Sequence, residues 1–133
     1  MSGETDLKKL LGALSPKLLD GDFVFCTFID ATYGDRADLV PIASFAEPEG
    51  LTLVIPKKKA DDHNLGYDSL FRCITLEVHS SLEAVGLTAA VSAKLAEQNI
   101  SANMIAGFFH DHVFVPSDSA QMALKFLTDL SAH

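Results

Sequence analysis

The sequence is poor in several features that would narrow its function at once. It holds two cysteines, Cys26 and Cys73, each inside an apolar, strand-like run. Two such residues do not make a disulfide framework, and a free thiol in that setting behaves as a small hydrophobe, so both are expected to be reduced and structural. Basic residues are scarce: 10 Lys and Arg against 18 Asp and Glu leave a net charge of −8. The one basic run, Lys57-Lys58-Lys59, is followed at once by Asp61-Asp62, which reads as a solvated loop or helix start and not as a nucleic-acid footprint. No apolar segment approaches the ~20 residues of a membrane span. Residues Met1 to Asp6 have neither the basic start nor the apolar core of a signal peptide. A cytoplasmic protein with no membrane or nucleic-acid partner is therefore expected. Phosphate loops and cysteine pairs are missing too, and Ser117 lies in a helix-capping position without the Gly-x-Ser-x-Gly elbow that exposes a nucleophile. No catalysis and no cofactor are expected.

What is present is a chain of 133 residues with 48% hydrophobic content, enough to bury a real core as one domain or two small fused halves. Leu7, Leu10, Leu11 and Leu14 recur at helical spacing before Ser15-Pro16, predicting a short amphipathic helix over residues 4–14. Phe23 to Ile29 is β-branched and aromatic with apolar residues on both faces, predicting an interior strand covered on each side. Residues 30–38 mix turn formers and charges with no period and read as a surface loop. Runs at 40–46 and 51–55, separated by Glu47 to Gly50, predict a β-hairpin with a four-residue connection. A short helix is expected after Pro56.

In the second half, Leu70, Ile74, Leu76 and Val78 take one face of a strand running to about His79. Leu87, Val91 and Leu95 mark the buried stripe of a helix over 85–98. Strands at 100–106 and 112–115 flank a turn at 107–111. Asp118 and Gln121 stand in capping-box relation before a last helix with Met122, Ala123, Phe126, Leu127 and Leu130 on its buried side. The order βαββα lacks one strand of the split βαβ sandwich, an antiparallel sheet with helices on one face. The N-terminal hairpin is the expected donor of that strand. No Gly/Ser/Pro-rich spacer lies between residues 56 and 70, so an α+β, ferredoxin-like body of two interlocked halves, 1–66 and 67–133, is expected.

The best candidate site is a backbone one. A helix that starts after a strand and a Gly-containing loop presents N–H groups that bind carboxylates and other small anions. Gly86 supplies that loop, and glycine there either serves the site or only provides a positive φ or close packing. Thr88 and Ser80 either touch a ligand or cap the loop's own backbone. Asp111 stands where β-turns favour Asp, and Asn103 is either an exposed strand residue or a ligand contact. A rival signal is His110-Asp111-His112, with His79 nearby: imidazoles two apart can share a transition metal, making a metal-binding module or small enzyme the alternative class.

Residues 85–89 followed by a helix, then 95–105 with an Asn-Ile pair at 99–100, look like the ACT domain. The blocks 21–27, 49–53, 78–90 and 110–116 resemble a group of small stand-alone bacterial ACT proteins of unassigned function, and the resemblance covers nearly the whole chain. It implies ferredoxin-like βαββαβ units that bind small molecules, usually amino acids, and act as regulators. It implies a pocket made by backbone groups of Val85, Gly86, Leu87 and Thr88 with the side chain of Asp111. It also implies a homo-oligomer, with a dimer as the simplest form. Most regulatory ACT domains are fused to an enzyme, and this sequence carries no catalytic domain.

Overall fold

The computed structural model describes residues 6–78 and 85–131. Their elements are α1 (Leu7–Ala13), β1 (Ser15–Leu18), β2 (Phe23–Phe28), β3 (Ala43–Glu47), β4 (Gly50–Pro56), α2 (Lys57–Asp62), β5 (Phe71–Glu77), α3 (Leu87–Glu97), β6 (Asn103–Ala106), β7 (Asp111–Pro116) and α4 (Ala120–Ser131). Short 3₁₀ turns stand at Ala37–Leu39 and Ser117–Ser119. The chain divides into a split unit, Met1–Leu19 with Arg72–His133, and an inserted unit, Asp20–Phe71. This differs from the division at 66/67 that the sequence suggests, because α1 and β1 belong with the second half.

The split unit is an α+β sandwich with strand order β1-β5-β7-β6. Its missing strand comes from Ser15–Leu18 and not from the 40–55 hairpin: Ser15 pairs with Glu77 and Leu18 with Ile74 in an antiparallel ladder. The segment is only four residues long, half exposed, and contains Pro16, which hides its strand character. As an edge strand it tolerates a proline. Beyond it, Leu19 N–H donates to the Cys73 carbonyl at 2.9 Å, and the Arg72 guanidinium donates to the Leu19 carbonyl at 2.8 Å. The core is built from Leu10, Leu14, Ile74, Leu76, Leu87, Val91, Leu95, Val113, Val115, Ala123 and Leu127.

The expected stripe of α3 is buried as read, while α4 differs at Met122, which is 56% exposed. Asp6 starts α1 by accepting from the Lys8 and Lys9 amides at 3.0 and 3.3 Å. No helix among the described residues is long and apolar enough to cross a membrane.

The inserted unit runs β3-β4-β2, with Phe71 at the start of β5 paired to Phe23. Val24, Leu39, Leu51, Leu53, Ile55 and Ala60 form its core. β2 is interior by pairing, but Phe25 and Thr27 are exposed, so it is not covered on both faces as its apolar run suggests. The hairpin is tighter than expected: Glu47 pairs with Gly50, which leaves a two-residue connection, and Thr52 Oγ1 donates to the Glu47 carboxylate. Val40 sits at φ +51, so the first hairpin strand begins only at Ala43. Between β2 and β3 a 3₁₀ turn stands where the split unit has a long helix, and Asp35 answers the Thr32 amide at 2.9 Å.

These units predict which pieces fold. A fragment of residues 66–133 lacks β1, Leu10 and Leu14 and is expected to show no cooperative thermal transition by circular dichroism. Joining Leu19 to Arg72 through a short linker, with 20–71 deleted, is expected to restore one. A cooperative melt of the shorter fragment would make β1 dispensable.

Candidate functional site

Gly86 lies at φ +105 and forms the N-cap of α3, a left-handed conformation that glycine alone adopts without strain. The first helical bond is Ala90 N–H to the Gly86 carbonyl at 2.8 Å, so the amides of Leu87, Thr88 and Ala89 have no acceptor within the helix. Leu87 contributes only its backbone, because its side chain is buried in the core. Val85 and Thr88 are exposed. A Cβ at Gly86 would stand 3.1 Å from Leu7 Cδ2, so α1 packs against the start of α3. Nothing in the sequence pattern signals this role for Leu7, whose helical stripe reads as core and no more.

The turn between β6 and β7 closes by Gly107 N–H to the His110 carbonyl at 2.9 Å. A Cβ at Gly107 would lie 2.8 Å from that carbonyl and 3.3 Å from His112 Nε2, so only glycine fits under the imidazole. His112 Nδ1 lies 3.0 Å from Thr75 Oγ1. This contact sets the C-terminal end of β5 beside the turn. α3 must carry the chain from that end back to the start of β6, so its N-terminus and Asp111 share one end of the split unit.

Strand alternation separates the candidates further. Met104, Val113 and Val115 face the helices. Asp111 shares their side of the sheet, while His112, Phe114 and Asn103 take the other. Asn103 is the first residue of β6, so it stands away from the turn as well as on the opposite face. Ser80 and His79 lie outside the described residues.

Burial pushes the Asp111 carboxyl above the ordinary carboxylate value, although His112 and His110 beside it pull the other way. Burial and His110 hold the His112 imidazole below its ordinary value, against the pull of Asp111. His110 Nδ1 is buried with no hydrogen-bond partner. Thr75 engages one nitrogen of His112, and among the described residues no group of three or more His, Cys, Asp or Glu is placed to hold an ion. The cysteines are free, and burial raises both thiols, Cys73 to about 11, which keeps them protonated at neutral pH.

An antiparallel sheet bearing α3 and α4, with the N-terminus of α3 at the end that holds the β6–β7 turn, defines a ferredoxin-like sandwich. Sequence comparison is more specific: the ACT domain family matches residues 2–72 and again residues 69–129, and the chain belongs to that family, whose domains are regulatory and not catalytic. No curated protein matches the sequence.

Among solved structures, the chain is similar to a Vibrio cholerae protein of unknown function described as a possible transport protein. Identity is 52%, the alignment covers 96% of this chain and 97% of that one, and the TM-score is 0.86. An Agrobacterium tumefaciens protein is similar at 16% identity, 89% coverage of each chain and a TM-score of 0.73. The regulatory subunit of aspartate kinase from Thermus thermophilus follows at 11% identity, 88% and 95% coverage and a TM-score of 0.61. At these last two identities the likeness is one of fold.

The raised Asp111 gives a signed pH dependence. A carboxyl whose folded value exceeds its ordinary 3.8 favours the fold while protonated, and that contribution is lost as pH rises through the folded value. Asp111→Asn is therefore expected to melt above the wild type at pH 7, with the gap closing as pH falls through the folded value and gone well below the ordinary 3.8. Equal melting curves at pH 7 would show that burial of this carboxylate carries no penalty.

Proposed function

We infer that the protein is an amino-acid-binding regulator of the ACT type, without catalysis of its own, working in the cytoplasm as a homo-oligomer. What supports the ligand is the placement of the α3 N-terminus, opened by Gly86, at the same end of the split unit as the partly buried Asp111. The backbone groups of Val85, Gly86, Leu87 and Thr88 would take the ligand's carboxylate, favoured by the helix dipole. The Asp111 carboxylate would take its ammonium or another cationic group. The penalty for burying Asp111 charged is then offset when the cation arrives.

A thermal-shift screen against the twenty amino acids tests this, because a ligand that binds only the folded state raises its stability by mass action. For the amino acid that shifts the melt, Asp111→Ala is expected to weaken binding by on the order of 2 kcal/mol in calorimetry. Gly86→Val should weaken it as well, by straining the left-handed turn and pressing on Leu7. Circular dichroism checks that both variants are folded, and full affinity in both would move the site elsewhere.

Oligomerisation is supported by exposed apolar side chains on a small chain, Phe45 at 70% and Phe108 at 65% exposure among them. A dimer is expected in sedimentation at micromolar concentration. A clean species of 14.3 kDa would exclude it.

A further inference from the structure

A second site stands in the inserted unit, built from side chains. Gly21, Asp22, Pro56, Lys57, Lys58, Asp61 and Asp62 line a cleft of about 490 Å³, within the range of small-ligand sites. Its charges fall into two groups. Lys57 and Asp61 neutralise each other: Nζ lies 2.6 Å from Oδ2, and Tyr67 Oη donates to the other Asp61 oxygen at 2.9 Å. The Lys57 amide is also spent, on the Asp22 carbonyl at 2.9 Å. Asp22 has interactions of its own.

Lys58 and Asp62 differ. They occupy the same i,i+4 offset on α2 as the closed pair beside them, yet among the described residues neither forms an ion pair or a side-chain hydrogen bond. Their Cβ atoms are roughly 5–6 Å apart by helix geometry, so both exposed side chains belong to one wall of the cleft.

We propose that this cleft binds a small zwitterion, its carboxylate on Lys58 and its ammonium on Asp62. A simple anion meets three aspartates against two lysines among the lining residues and is disfavoured. A metal ion is disfavoured because Asp61 is already held by Lys57 and Tyr67, and no metal-holding group of three is found among the described residues. The site is independent of the α3 N-terminus, so the two readings stand or fall separately.

Nitrogen-15-labelled full-length protein titrated with glycine, β-alanine and γ-aminobutyrate tests the proposal, with acetate and methylammonium as single-charge controls. At least one zwitterion is expected to shift the amides of Lys58, Asp62 and Gly21, saturating in the millimolar range and weakening with added salt. Lys58→Ala and Asp62→Ala, both surface changes, are each expected to weaken that response roughly threefold. Acetate shifting the same amides as strongly as the zwitterions would make this an anion site and overturn the proposal. So would unchanged affinity in both variants, or shifts confined to residues 86–89, the last leaving the amino-acid reading of the split unit intact.

Discussion

The four-residue ladder between β1 and β5 is the contact on which the split unit depends. It pairs the far edge of β5 along Ile74 to Glu77, and it holds the short chain between Leu14 and Leu19 in place. α1 is thereby tied to the rest of the unit. With seven residues that helix is too short to persist alone in water, and its stability comes from Leu10 and Leu14 entering the core. Once docked, it sets Leu7 against Gly86. A strand too short to announce itself thus controls the surroundings of the start of α3.

Placement of Asp111 follows from the same framework. The turn at 107–110 is closed through backbone atoms, and His112 is fixed beneath it by Thr75 and by the space that Gly107 leaves. A carboxylate that begins a strand in this setting loses part of its hydration and is held close to two imidazoles. Such a group is poorly arranged for stability, because the desolvation of its carboxyl outweighs the pull of the imidazoles.

The two units use one chain order with different emphasis. The split unit follows its first strand with an eleven-residue helix, α3, whose first amides have no acceptor within the helix. In the inserted unit that position holds a 3₁₀ turn, and Asp35 answers the Thr32 amide within its own loop. The cleft of the inserted unit lies instead where β4 passes into α2, and its working groups are side chains. Two halves matched by one family therefore present different chemistry to solvent.

Much of the fold was legible in the sequence. The 3.6-residue stripes of Leu87, Val91 and Leu95 and of Ala123 and Leu127, the alternation through β5, and the Glu47 to Gly50 punctuation all report local preferences that the tertiary structure kept. Resemblance of residues 78–90 and 110–116 to ACT domains carried the family. The sequence by itself determined the α+β class, the reduced cysteines and the position of α3, because periodicity and composition act within a few residues. Only the tertiary structure decided that Ser15–Leu18 is the completing strand, that Asn103 faces away from Asp111, and that Lys58 and Asp62 form no ion pair among the described residues of the cleft they line. Each of those depends on what packs beside a residue from a distant part of the chain, and no local pattern records that.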